Sequence, residues 1–151
     1  MKRLLICLNK RELFDAKSKK CLKQLSDVIV SLTSQGHILV VLPIINIKAM
    51  KQDLENDFLF ESDLATIIIK NSMYFFESYG KFSNPLLILP QVIRELNIQT
   101  RHVIVVDTFT TMLNEANNYG YATLKVPNIE SPVYEKYISK LMELARILYI
   151  S

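Results

Sequence analysis

Glycine and cysteine are scarce in this sequence. Three glycines in 151 residues leave no glycine-rich loop that could cradle a phosphate, and neither GxxxxGK[ST] nor GxGxxG occurs. The two cysteines, Cys7 and Cys21, stand outside any CxxC pair and are too few for a disulfide scaffold. These absences exclude the P-loop and dinucleotide-binding classes. They also favour a reducing, cytoplasmic compartment.

Long apolar runs and a strong excess of one charge are also missing. No stretch reaches the roughly 18 apolar residues that a transmembrane helix needs. The apolar run Leu4–Leu8 is too short for the core of a secretory signal peptide. The net charge of +3 is too small to indicate nucleic-acid binding by itself. We therefore expect no membrane span and no nucleic-acid partner.

Positive charge is nevertheless concentrated at the N-terminus. Eight basic residues stand against two acidic ones in the first 23 positions, namely Lys2, Arg3, Lys10, Arg11, Lys17, Lys19, Lys20 and Lys23. A solvated surface is one interpretation of this segment. The alternative is a patch that binds phosphate or an acidic partner, and a phosphate or nucleic-acid binder that uses this segment is a third hypothesis for the function.

Half of the residues are hydrophobic, and short apolar runs alternate with helical patterns. Strands are predicted over the runs Leu4–Leu8, His37–Leu42, His102–Val106 and Tyr121–Val126. Helices are predicted over Lys17–Gly36, Ser83–Ile98, Thr110–Gly120 and Ser131–Ile150. Two further segments, Asn46–Phe60 and Glu61–Gly80, read as helices, although the isoleucine-rich centre of the second also suits a strand.

Three positions refine the predicted helices. Gly36 is a natural stop for the first helix, and Pro90 predicts a bend or a restart in the second. Pro132 is predicted at the first position of the last helix. Apolar residues in that helix recur at near-heptad spacing, which suits core packing or a homodimer seam: Val133, Tyr137, Leu141, Leu144 and Leu148.

The order of elements predicts a single α/β domain over residues 1–151. Strand–helix–strand units are typical of a parallel sheet, and right-handed crossovers then give a three-layer, doubly wound arrangement. Ligands of such sheets bind at the carboxyl ends of the strands. The segments predicted to form a site are therefore Asn9–Glu12, Pro43–Asn46 and Asp107–Thr111.

The second half of the chain resembles the haloacid dehalogenase-like superfamily of phosphatases and phosphotransferases. The stretch "GKFSNPLLILPQVIRELNIQTRHVIVVDTFTTMLNEANNYGYATLKV" is similar to that family's succession of lysine motif, helix, strand, acidic motif, helix, glycine and strand. The first two predicted strands also follow the family's order. The resemblance implies the core of that fold without a large cap.

The resemblance also assigns roles to individual positions. Cys7 and Asn9 stand where family members carry the attacking and the acid–base carboxylates of an aspartate–x–aspartate motif. Lys81 matches the phosphate-binding lysine, and Asp107 matches the first magnesium aspartate. Thr111 replaces the second one. A shift of one residue in the alignment would instead bring Thr108 to the magnesium position.

Two more replacements concern the rest of the motif set. Pro43 stands where the family has a serine or threonine that holds the phosphoryl group, and Val106 replaces a glycine. One remaining carboxylate is a poor anchor for Mg²⁺, which prefers an octahedral shell of oxygens. We therefore expect a catalytically degenerate domain without a cofactor, which binds a protein partner or a second copy of itself.

Other interpretations stay open. An active Mg²⁺-dependent phosphatase with divergent motifs is the rival function. In it Cys7 would attack as a thiolate, or Asp15 would supply the carboxylate. Cys7 could equally be a small buried hydrophobe. Asp107 could be structural, because an aspartate after a strand often caps the next helix, as could Thr108 or Thr110.

Overall fold

The structure, a computed structural model, describes residues 3–9, 19–42 and 85–150. In these ranges four parallel strands form one sheet: β1 (Leu5–Asn9), β2 (Ile38–Leu42), β3 (Val103–Asp107) and β4 (Ala122–Lys125). The strand order is β2-β1-β3-β4. The chain moves from β1 to β2 on one side and later returns to the other side of β1. The direction of winding therefore changes between β1 and β3.

The described helices are α1 (Lys19–Ser34), α2 (Leu89–Leu96), α3 (Thr110–Asn118) and α4 (Tyr134–Ile150). Short 3-10 turns over Pro85–Ile88 and Thr100–His102 precede α2 and β3. The predicted α/β class is thus confirmed, and each predicted strand is confirmed to within one residue at either end. Predictions for residues 10–18 and 43–84, including Lys81, lie outside the described residues.

Two glycines and one proline end or start the helices as the sequence predicts. Gly36 and Gly120 follow α1 and α3 with φ angles of 95° and 85°, which glycine adopts without steric cost. Pro90 lies in the first turn of α2, after the 3-10 turn. Its missing N–H has no helical partner there in any case. The helical segment before β3 therefore changes from a 3-10 turn to an α-helix at Leu89, directly before Pro90.

Apolar residues on both faces of the sheet are buried, because helices cover both. On one face β1, β2 and β3 pack against α1 and α4, through Ile6, Leu8, Leu25, Ile29, Leu39, Ile104, Ile138 and Leu141. On the other face the strands pack against α2 and α3, through Leu5, Cys7, Val40, Leu89, Val92, Val105, Leu113 and Ala116. This two-sided burial explains why the strands read as continuous apolar runs.

The first turn of α4 differs from its prediction. The helix begins at Tyr134, and Pro132 lies in the preceding turn, where Ser131 accepts hydrogen bonds from the N–H of Val133 (3.3 Å) and Tyr134 (3.0 Å). The buried stripe is Tyr134, Ile138, Leu141 and Ala145. The predicted stripe was therefore wrong at Val133, which is 47% exposed. Tyr137, Leu144 and Leu148 flank the core and pack against it.

No helix within the described ranges is both long enough and apolar enough to traverse a membrane.

Candidate functional site

Three neighbouring strands end side by side at the carboxyl edge of the sheet. The pairing of β1 with β3 matches Leu8 with Val106, one residue before the last residue of each strand. Asn9 and Asp107 therefore end adjacent strands. On the other side of β3, Asp107 pairs with Lys125, the last residue of β4. This edge includes the change of winding direction, where open parallel sheets bind ligands.

Asp107 is almost fully buried, and its carboxylate shapes the loop that follows β3. Its side chain is 1% exposed, and its Oδ1 accepts hydrogen bonds from the N–H of Thr108 (2.6 Å) and Phe109 (3.1 Å). Its backbone carbonyl accepts from the N–H of Val126 at 3.0 Å. Hydrogen bonds from successive N–H groups to one carboxylate oxygen are typical of an aspartate that directs a turn.

The predicted capping role of Asp107 needs a correction. The N-cap position of α3 is Phe109, which makes no capping bond through its side chain. Asp107 instead accepts hydrogen bonds from the two N–H groups immediately before the first residue of the helix. Through these two hydrogen bonds the carboxylate organises the loop rather than the helix end.

A lysine rather than a second carboxylate accompanies Asp107. Nζ of Lys125 donates to Oγ1 of Thr110, the first residue of α3, at 2.8 Å. The first turn of α3 contains no acidic residue, although the N-terminus of a helix favours negative charge. Thr111 is exposed at this end of the helix. The ammonium group of Lys125 therefore lies at the amino end of α3, where it contacts the exposed Thr110.

Cys7 lies in the core, away from the strand end. Its side chain is fully buried and packs in the cluster formed by the strands, α2 and α3. Burial raises the pKa of the Cys7 thiol far above its ordinary value, because a thiolate loses its hydration there. The structure therefore favours the interpretation of Cys7 as a small hydrophobe over a reactive thiolate.

The structure thus brings together only some of the predicted site residues. Asn9 and Asp107 end adjacent strands, whereas Cys7 stands two residues earlier in β1. Across residues 3–9, 19–42 and 85–150, no three histidine, cysteine, aspartate or glutamate side chains are grouped so that they could hold a metal ion. Lys125 is the residue that sequence reasoning missed, because its place beside Asp107 follows only from the strand pairing.

The sequence places the two histidines directly before predicted strands and indicates loop or edge positions rather than metal ligands, but it does not indicate their burial. His37 and His102 directly precede β2 and β3, and both are buried. Nδ1 of His37 accepts a hydrogen bond from the N–H of Leu4 at 3.2 Å. Burial lowers the pKa of His37 below its ordinary value. The sequence gives no local signal for this contact, because it joins residues far apart in the chain.

Comparison with known proteins supplies no family for this chain: no family model matches it, and no curated protein matches it.

Proposed function

We propose that this chain is a catalytically degenerate domain of haloacid dehalogenase-like type, a pseudophosphatase that acts as a protein-interaction or regulatory module. One observation carries the proposal. Asp107 is the one buried carboxylate of the described residues, and it lies at the edge where such a sheet would bind its ligand. Its side chain is hydrogen-bonded to the loop that follows it, and the adjacent strand ends in Asn9.

The topology supports the choice of fold. A metal shared by the first strand and the acidic motif requires these two strands to be neighbours, and β1 and β3 are neighbours. Helices on both faces of the sheet agree with a three-layer, doubly wound core. The resemblance in the sequence then gives the narrower assignment, including the absence of a large cap.

The replaced groups support the loss of catalysis. By the resemblance, Cys7 and Asn9 stand where the family carries its attacking and acid–base carboxylates, and Cys7 is buried in the core. Asn9 cannot attack phosphorus or exchange a proton in the useful range. Phosphoryl transfer depends on positioned charge and metal ions, and the residue of β4 that pairs with Asp107 is the cationic Lys125 rather than a second carboxylate.

The alternative function is a Mg²⁺-dependent phosphatase with divergent motifs. The position of Asp107 favours it, because a buried carboxylate at the carboxyl end of a central strand is a suitable magnesium ligand. In that case Asp107 would hold the metal and Lys81 would bind the phosphate. The two functions differ in a measurable way, since only the alternative needs Mg²⁺ for its activity.

Turnover of a generic aryl phosphate separates the two. The purified full chain is assayed with Mg²⁺ and with a chelator, beside Asp107→Asn, which keeps an oxygen acceptor for the loop but removes the charge. We expect both proteins to show the same negligible rate under both conditions. Activity that requires Mg²⁺ and disappears in Asp107→Asn, while the variant stays folded by circular dichroism, would establish the enzyme instead.

The interaction role is tested by sedimentation of the purified chain over a wide range of concentrations. A concentration-dependent increase in mass identifies a second copy of this chain as the partner. A chain that stays monomeric requires a partner of different sequence and rejects the homodimer form of the proposal. The outcome does not depend on the turnover assay, so each half of the proposal can fail separately.

A further inference from the structure

We propose that His37 is a pH-sensitive latch that holds the last turn of α4 against the amino edge of the sheet and releases it when the ring gains a proton. The amino edge is defined here as the side where β1, β2 and β3 begin. This inference is independent of the proposed function, because it concerns the opposite edge of the sheet.

His37 contacts three elements of the fold, two through its ring and one through its backbone. Its side chain is 3% exposed, and its Nδ1 accepts the N–H of Leu4, just before β1, at 3.2 Å. The backbone N–H of His37 donates to the carbonyl of Leu32 in α1 at 3.3 Å. The ring of Tyr149, in the last turn of α4, meets the imidazole edge to face with centroids 5.9 Å apart and planes at 73°.

This arrangement requires a neutral ring. Nδ1 can accept the hydrogen bond only while it carries a lone pair, and in the imidazolium both ring nitrogens are donors. Protonation therefore points an N–H of His37 at the N–H of Leu4 and also buries a positive charge. Both effects push the ring out of its site, and the lowered pKa of His37 is consistent with this cost.

The last turn of α4 is the part of the fold that should loosen when His37 gains a proton. Ile147, Tyr149 and Ile150 are 55%, 43% and 75% exposed, whereas the first three turns of the helix bury Tyr134, Ile138, Leu141 and Ala145. Among the described residues, this turn meets the rest of the fold through the partly buried Leu148 and the ring contact with His37. Losing that contact should loosen the turn without disturbing the core.

The ionisable groups around His37 come from several elements. From α4, Tyr149 faces the ring directly, and Arg146 lies one turn earlier in a groove that it shares with Gln35.

From the start of β1, Arg3 precedes Leu4 and donates through Nη2 to the carbonyl of Leu96 at 3.1 Å. His102 precedes β3 on the other side of β1 and is also buried. From α1 the contact is the uncharged carbonyl of Leu32. Arg3 and Arg146 are cationic and oppose a proton on His37, whereas Glu143, which lines the same groove as Arg146, favours one.

The test is amide hydrogen exchange of the full chain at several pH values, with protection factors corrected for intrinsic rates. Between neutral pH and about pH 5, where histidine titrates, we expect the protection of residues 147–150 to fall by about tenfold for each pH unit below the ordinary histidine pKa. Protection in β1, β3 and α2 should fall by no more than the loss of global stability measured by denaturation at the same pH. In His37→Asn, whose side-chain oxygen can replace Nδ1 as an acceptor but does not titrate, the pH dependence should disappear.

NMR titration of the imidazole rings in the unmodified chain provides a second measurement if His37→Asn does not fold. The midpoint for loosening of residues 147–150 must coincide with the titration of His37 rather than that of His102. Constant protection at these residues overturns the latch. So does increased protection, which would mean that the imidazolium binds the Tyr149 ring more tightly. So does exchange of residues 147–150 at the same free energy of opening as the sheet, which would mean that they open only by global unfolding.

Discussion

The two edges of the sheet use buried polar side chains for the same purpose but over different distances. At the carboxyl edge, Asp107 accepts hydrogen bonds from the next two N–H groups in the chain. At the amino edge, His37 accepts one from Leu4, 33 residues away. Asp107 therefore shapes a single loop, whereas His37 ties the starts of two strands together. A buried ionisable group at a sheet edge can thus be explained by the backbone that it satisfies, before any ligand is invoked.

Removing the carboxylate at the carboxyl edge should have the largest effect. Asp107→Ala leaves the N–H groups of Thr108 and Phe109 without their acceptor, and we expect it to lower the free energy of unfolding by about 2–3 kcal/mol. Asp107→Asn keeps an oxygen acceptor and should cost about 1 kcal/mol. Urea denaturation of the three proteins measures both values. If Asp107→Ala is as stable as the unmodified chain, the carboxylate is held in place for a ligand rather than for the loop.

A carboxylate added at the carboxyl edge tests whether that edge is a degenerate metal site. Asn9→Asp would place a second carboxylate at the end of β1, next to the strand end that carries Asp107. With Mg²⁺ at about ten times its dissociation constant, the variant should gain about 1.4 kcal/mol of stability, or a few degrees in Tm.

Calorimetric melting with Mg²⁺ and with a chelator measures this shift. The unmodified chain and the double variant Asn9→Asp/Asp107→Asn are the controls, and neither should respond to Mg²⁺. An Asn9→Asp variant that melts at the same temperature in both buffers would show that the ends of β1 and β3 do not form a vestigial magnesium site, and the resemblance would lose its chemical support.

Acid should weaken the amino edge through His37. Its folded-state pKa is lowered from 6.5 by burial, so below that pH the unfolded chain binds more protons than the folded one. The contribution of a neutral His37 is therefore complete above the ordinary pKa and is lost as the pH falls below it. In denaturant titrations over this range, His37→Asn should show a flatter dependence of stability on pH. Parallel curves for the two proteins would assign the acid sensitivity to other groups.

The smallest effect is expected from the exposed lysine at the carboxyl edge. Lys125→Met removes the hydrogen bond to Thr110. Because both residues of this bond are exposed, the free energy of unfolding should change by no more than about 0.5 kcal/mol. Thr110→Val removes the same bond from the other side and is the matched control. A loss several times larger in both variants would show that Lys125 holds α3 in place.

Much of the architecture was predictable because it depends on local patterns. The strand at Val103–Asp107 reads directly as an apolar run, and the restart at Pro90 follows from its fixed φ angle. The α4 stripe was misplaced at Val133, because the Ser131 turn delays the start of the helix by two residues relative to Pro132. The local hydrogen bond to Ser131 thus outweighed the preference of Pro132 for the first position of a helix.

The candidate site was less predictable than the fold. Sequence reasoning identified Asp107 as the residue at the end of its strand, but it could not show which N–H groups its oxygen binds. The proximity of Lys125 and the contact between His37 and Leu4 both depend on strand order. Strand order is a long-range property that hydrophobic periodicity does not encode. Site residues that pair across strands therefore become visible only in three dimensions.

The central position of β1 has a consequence for synthesis on the ribosome. One side of this strand pairs with β2, which soon follows it in the chain, but the other side pairs Leu5 with Val103. In a nascent chain this side of β1 therefore cannot pair with β3 until translation has passed Val103. Such an open edge slows folding and invites association with other chains. The yield of folded protein should thus depend on how soon β3 is translated after β1, or on a chaperone that covers the unpaired side of β1 until then.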